Sequence, residues 1–190
     1  MNVYDFDGTI YNGDSSIDFW RFCVLDDPSV FRKCFPRLIK GALLYACGRI
    51  TKESWKECFF SFLNHMPADT TLVSRFWEKR ADRIKPWYLE RKQGDDIIIS
   101  ASPEFLLGPV CGKLGVSLIA SKIDPASGRF SGVNCSGEEK VRRFRREYPD
   151  GNIDEFYTDS KKDLPLAAIA GRAYLVRKNK IREMEPEKRQ

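Results

Sequence analysis

The sequence predicts an α/β fold: a mostly parallel sheet covered by helices on both faces, with a bundle of helices inserted after the first strand. Three observations lead there. A short β-favouring run, Val3, Tyr4 and Phe6, leads at once into Gly8. From Ser15 to about Ile84 apolar residues recur at helical spacing with no strand between them. From Ile97 onward, strand-like and helix-like segments alternate, as they do in a parallel sheet.

The elements follow in order. Asp14, Ser15 and Ser16 are capping candidates for a first helix whose stripe is Ile17, Trp20 and Val24, flanked by Phe19 and Cys23. A second helix is expected over Val30–Leu44, kinked at Pro36 and closed by Gly48. Thr51 precedes a third, Ser54 to Leu63, which stops near His65-Met66-Pro67; a fourth runs from Thr70 to Ile84. These four helices place an inserted bundle at 15–84 and the α/β core at 1–14 and 85–190.

Ile97-Ile98-Ile99 then reads as a buried parallel strand that stops at Ser100, followed by a helix from Pro103 to about Leu114 with proline in its first turn. Val116–Ala120 is a further strand, and Phe130–Val133 belongs to a hairpin after the turn residues Pro125 to Gly128. A very basic helix covers Glu138 to Glu147. Ile153–Thr158 is a strand ending at Asp159, Leu164–Ala170 a helix and Tyr174–Val176 the last strand; from Lys178 onward the charged chain is expected to fray.

Bulk properties narrow the function classes. At 190 residues, with 42% hydrophobic and 31% charged residues, the chain suits one core or a core with a smaller insert. The longest apolar candidate, near Gly41 to Cys47, is far too short to span a bilayer, so no membrane partner is expected. The start lacks a basic segment followed by an apolar stretch and cleavage site, which makes a cytoplasmic location the expectation. Six cysteines without a C-x-x-C pair read as reduced, mostly buried residues. His65 is the only histidine, which excludes multi-histidine metal clusters. A net charge of +5 suits an anionic partner, either nucleic acid or a phosphorylated small molecule.

The chemistry gathers at strand ends. Asp5 and Asp7 stand two residues apart at the end of the first strand, so both are directed beyond that end. Two carboxylates held so close do not both stay ionised without a cation, and a pair in oxygen-only surroundings suits Mg²⁺. An aspartate can also attack phosphorus while its neighbour handles protons. Ser100 and Asp159 end two more strands, and in an open α/β sheet such ends share one crevice.

The stretches Asp5-Phe6-Asp7-Gly8-Thr9, Ile97-Ile98-Ile99-Ser100-Ala101-Ser102, Gly137-Glu138-Glu139-Lys140-Val141 and Thr158-Asp159-Ser160-Lys161-Lys162-Asp163 resemble, in order, the four motifs of the haloacid dehalogenase (HAD) superfamily. Within it, the phosphoserine-phosphatase-like subgroup is the most similar, and the resemblance covers the whole chain. It implies a Rossmann-like core, a helical cap over 15–84, and a Mg²⁺-dependent phosphatase acting on a small phosphorylated metabolite.

By the same resemblance, Asp5 is the nucleophile and Asp7 the general acid and base. Mg²⁺ is held by Asp5, the Asp7 backbone carbonyl and Asp159. Ser100, backbone N–H groups such as that of Ala101, and Lys140 bind the phosphoryl group, while Asp163 orients Lys140 or metal-bound water from behind. Lys122 also follows a strand and is the rival phosphate lysine.

The chain departs from the family pattern at Thr158, where many relatives have glycine, and at Lys162, where asparagine is frequent. Asp14 stands where amino-acid-selective relatives carry a longer acid, and Lys56 near a carboxylate-gripping arginine. Both are substrate candidates, and their shortening or weakening of these contacts disfavours phosphoserine itself. Trp20, Tyr45, Trp55 and Phe59 belong either to the core or to the closure over the site. The competing class is a binding protein on the same scaffold, in which Arg142, Arg143, Arg145, Arg146 and the tail from Lys178 to Arg189 attract nucleic acid or another acidic partner; few aromatics interleave with these arginines to stack bases.

Overall fold

In the computed structural model, which describes residues 1–66 and 71–184, six strands form one sheet. They are β1 (Asn2–Tyr4), β2 (Ile97–Pro103), β3 (Ser117–Ser121), β4 (Ile153–Thr158), β5 (Ala170–Arg177) and β6 (Lys180–Glu183), in the order β3-β2-β1-β4-β5-β6. Every neighbouring pair is parallel except β5 with β6. The order runs one way from β1 to β3 and the other way from β4 to β6. The winding therefore reverses between β1 and β4, where an open α/β sheet leaves a crevice beyond the strands' carboxyl ends.

Among the described residues eight α-helices accompany it: α1 (Ser15–Asp26), α2 (Pro28–Ala46), α3 (Lys52–Phe60), α4 (Leu72–Arg80), α5 (Pro86–Arg91), α6 (Glu104–Leu114), α7 (Glu138–Glu147) and α8 (Leu164–Ala167). Strand alternation sorts the sheet's side chains onto two covered faces. Val3, Ile97, Ile99 and Phe156 meet Phe144 of α7 and Leu166 of α8. Tyr4, Ile98 and Tyr157 turn the other way, towards Tyr88 of α5 and Leu106, Leu107 and Val110 of α6. On that face Tyr4 stacks on Tyr157 at 4.9 Å and Tyr157 on Tyr174 at 4.8 Å, an aromatic ladder across β1, β4 and β5.

Side chains cap the early helices. Asp14 accepts from the Ile17 N–H, Asp27 from that of Ser29 and Thr51 from that of Ser54. Phe19 and Phe22 of α1 and Phe76 and Trp77 of α4 enter the same apolar cluster as Phe6 and Leu106. The Trp77 indole donates to the Leu106 carbonyl at 2.6 Å.

Several elements differ from their expected bounds. α2 runs as one helix through Pro36 from Pro28 to Ala46, because Pro28 in its first turn and the Asp27 cap start it earlier. α3 ends at Phe60 and tightens into a 3₁₀ turn, Ser61–His65. Thr70, the expected start of the fourth helix, lies outside the described residues; α4 ends at Arg80, and a 3₁₀ turn leads to Ile84, which bridges to Tyr11. β2 continues past Ser100 to Pro103 through a register irregularity.

The expected hairpin at Phe130–Val133 reduces to a single bridge between Ile123 and Phe130, since Asp124 ties the intervening turn to Ala126 and Ser127 and Gly132 (φ 120°) ends the extended run. Ala170 belongs to β5 rather than to the helix. Gly171, next to it, lacks the Cβ that would lie 3.0 Å from the Asp154 carbonyl, which lets β5 close on β4. The expected fraying after Lys178 does not hold for β6, whose turn uses Lys178 at φ 55°; residues 185–190 are outside the described set. α5 has no counterpart in the sequence reading.

Candidate active site

The carboxyl ends of β1, β2 and β4 open into one cavity of about 750 Å³. Asp5 and Asp7 line it from the β1 end, Ser100 and Ala101 from β2, Asp159 from β4, and Lys140, Asp163, Asp14 and Lys56 from the surrounding elements. Lys122 lies instead beside a separate depression with Glu104 and Phe105.

Asp5 continues the β1 ladder, its N–H donating to the Tyr157 carbonyl at 2.9 Å, so the sheet fixes its backbone. Its Oδ1 accepts from Lys140 Nζ at 2.9 Å, and the same ammonium reaches Asp163 Oδ2 at 2.9 Å. Lys140 is almost wholly buried in the first turn of α7. Burial alone would push its ammonium down in pKa, but the carboxylates of Asp5 and Asp163 outweigh burial and hold it above the ordinary lysine value. One cation serves two carboxylates. Asp5 is accordingly pushed up to about 6, by burial first, with Lys140 opposing and Asp163 adding to the rise.

Asp7 has a different shell. Its Oδ1 accepts from the Ser15 N–H at 2.6 Å and its Oδ2 from the Ser102 hydroxyl. Burial, aided by repulsion from Asp14, pushes its carboxyl up to about 7 despite both hydrogen bonds. Asp7 is thus the group nearer to holding a proton at neutral pH, while Asp5 is bound to a cation.

Thr158, a departure from the family pattern, is fully buried and donates to Asp163 Oδ2 at 2.9 Å. Its hydroxyl and Lys140 thus hold one carboxylate oxygen from two sides. Asp159 sits where Gly8, at φ 73°, leaves room: a Cβ there would lie 2.2 Å from Asp159 Oδ2. Burial and the charge of Asp163 raise the Asp159 pKa, and among the described residues it forms no ion pair.

The residues fit a hard cation at this point. Among the described residues no cluster of three or more acidic, histidine or cysteine side chains forms a closed cage. Mg²⁺ needs none, since it typically takes one or two carboxylates together with substrate phosphate and water. Asp159, raised in pKa and in no ion pair among the described residues, supplies such a carboxylate beside Asp5, and oxygen is the only donor type these groups offer.

Lys56 of α3 donates to the Ala101 carbonyl and to Asn134 Oδ1, both at 2.9 Å, and lies 6.0 Å from the Phe130 ring centre. Burial pushes its ammonium down to about 8, and the neighbouring Lys52 adds to the fall. Asp14 spends one oxygen on the α1 cap. Of the four aromatics, Trp55 and Phe59 line the cavity; Tyr45 stacks on Trp55 from outside at 6.4 Å, and Trp20 packs against the core.

Several lining residues escaped the sequence reading of the site. Ser102 is one of them, and its place two residues beyond Ser100 on a strand is the signal the sequence offers for it. Lys52 and Phe60 gave none beyond helical spacing. Lys162, exposed at the mouth, brings another cation. The basic face of α7 is smaller than expected. Arg143 is buried, donating to the Ala120 and Val133 carbonyls and pairing with Glu139, which removes it from any nucleic-acid surface.

Comparison with known proteins gives the family and the fold. The family model described as haloacid dehalogenase-like hydrolase matches residues 3–168. The protein CicA of Caulobacter vibrioides is 26% identical over 196 residues, covering 88% of this chain and 82% of that protein. A crystal structure of a protein with unknown function from Bordetella pertussis Tohama I superposes with a TM-score of 0.71 at 21% identity, covering 91% of this chain and 87% of that one. A probable phosphoserine phosphatase from Vibrio cholerae gives a TM-score of 0.62 at 13% identity; 90% of this chain matches 55% of that one.

Proposed function

Because the chain belongs to the haloacid dehalogenase-like hydrolases, we propose that it is a phosphatase of that type, hydrolysing a small phosphorylated metabolite through an aspartyl-phosphate on Asp5, with Mg²⁺ as cofactor. The observation that carries the reading is the contrast within one cavity. Asp5 is tied to the buried ammonium of Lys140, while Asp7 has a carboxyl pushed up to about 7.

A carboxylate oxygen of Asp5 attacks phosphorus as the ester P–O bond breaks, and Asp7 gives its proton to the departing oxygen. Asp7, now ionised, takes a proton from water as that water attacks the phosphorus; the acyl phosphate P–O bond breaks, and Asp5 and inorganic phosphate are released. Lys140 sets positive charge against the phosphoryl oxygens, with Asp163 and Thr158 holding it in place. Ser100 and the Ala101 N–H donate to the same oxygens. Asp5, Asp159 and the Asp7 carbonyl would hold Mg²⁺, which would supply charge neutralisation for the nucleophile and phosphate.

In this reading, residues 15–84 form a cap over a core of 1–14 and 85–190, with α3 presenting Lys56 and Trp55 to the substrate. Two of the three Lys56 donors already serve the protein. Such a lysine attracts a second anionic group as a point charge rather than gripping a carboxylate as an arginine fork does, which disfavours phosphoserine. The test is release of inorganic phosphate from an aryl phosphate with Mg²⁺. Chelation should abolish it reversibly, and Asp5→Asn should lower the rate at least about a thousandfold. Activity retained in that variant overturns the reading.

A further inference from the structure

The chain's positive charge is concentrated in one place. From Pro28 to Thr51, which covers α2 and the turn after it, there are five cations, Arg32, Lys33, Arg37, Lys40 and Arg49, and no aspartate or glutamate. The formal net charge of the whole chain is also +5, so the remainder is balanced.

The same helix exposes apolar surface. Of ten large hydrophobic side chains exposed among the described residues, five belong to α2: Phe31, Phe35, Ile39, Leu43 and Tyr45. The first four recur at every fourth residue and form one stripe, rising to 63% exposure at Leu43. Phe31 and Phe35 already pack together, their ring centres 5.0 Å apart.

A helix turns by about 100° per residue, which divides α2 into three faces. Val30, Cys34 and Gly41 bury one face; a Cβ at Gly41 would lie 2.7 Å from Cys58 Cβ, so α3 is in close contact there. The apolar stripe stands roughly a third of a turn from the buried face. Lys33, Arg37 and Lys40 occupy the remainder, while Arg32 falls within the arc of the stripe, between Ile39 and Leu43.

We propose that α2 is an interfacial helix that docks the protein on an anionic lipid bilayer, its apolar stripe entering the headgroup–acyl boundary and its cations lying against the headgroups. Among the described residues no helix is long and apolar enough to cross a membrane, so α2 lies on the surface. A second copy is a poorer occupant. A two-fold contact would set α2 against α2, the four cations of one helix beside the four of the other with no acid in either helix to pair them. A nucleic acid would take up the cations and leave Phe35, Ile39 and Leu43 in water.

The test is cosedimentation of the full chain with vesicles of equal parts phosphatidylglycerol and phosphatidylcholine, and with phosphatidylcholine alone. Binding is expected to the first, weakening as salt is raised. The combined variant Phe35→Ser, Ile39→Ser, Leu43→Ser should lose at least about a hundredfold in vesicle affinity with its circular dichroism unchanged, since these side chains are exposed. Replacing Arg32, Lys33 and Lys40 by serine should cost a similar factor, about a hundredfold. Failure to sediment with the anionic vesicles, or undiminished binding by the apolar variant, overturns the proposal. So does tighter binding to an oligonucleotide than to the vesicles. The readout is sedimentation, so its failure leaves the phosphatase reading untouched.

Discussion

At the scale of single residues, Lys56 is a lysine whose charge state changes a little above neutral pH. Its ammonium is pushed down to about 8 by burial, so it is charged below that pH and neutral above it. For a substrate with a second anionic group, KM should therefore rise as the pH passes upward through about 8, whereas Lys56→Met should show a high KM without that inflection. Stability moves the other way. Unfolded lysine keeps its proton to about 10.4, so between the two values the unfolded chain binds more protons and the fold gains stability with rising pH. A KM profile against pH for both proteins checks the assignment; identical profiles would remove Lys56 from substrate binding.

At the scale of elements, the turn after β1 is set by a close approach. Gly8 adopts φ 73° and leaves no room for a Cβ beside Asp159. Gly8→Ala should strain the turn by about 1 kcal/mol and displace the Asp159 carboxylate. The Mg²⁺ concentration for half-maximal phosphate release should rise by about tenfold or more, which a metal titration measures. The glycine was legible as punctuation at the end of a strand; the distance to Asp159 was not, because it depends on β4 lying next to β1.

The same division runs through the other elements. β2 was readable from its apolar triplet Ile97-Ile98-Ile99, β4 from the run that stops at Asp159, and α7 from the basic run that ends before Pro149. α5 and β6 were not. α5 is six residues long, and β6 alternates charged residues with one isoleucine, so it forms only because β5 offers an edge to pair with. Within the site, the acids and Lys140 were visible in their motifs, while Ser102 and the role of Thr158 emerge only from side chains meeting across the fold.

At the scale of the whole molecule, α1 and α4 share their apolar cluster with the sheet and with α6. Trp77 stands at that junction, touching Phe6 and Tyr11 edge-on and donating to Leu106. Trp77→Ala should destabilise by about 3–5 kcal/mol. Because the cluster is continuous, the helices of 15–84 and the sheet should still melt together. Coincident transitions by far-ultraviolet circular dichroism and intrinsic fluorescence would show this, and two separated transitions would contradict it.

Lys85 has a reach that its position in the chain hides. Its ammonium donates to the Gly8 carbonyl at 2.5 Å and to the Lys178 carbonyl at 2.7 Å, so one side chain moors the loop bearing the two amino-terminal acids to the β5–β6 hairpin at the far edge of the sheet. Slack introduced at that distant hairpin would reach the reaction centre without altering any group that touches phosphate.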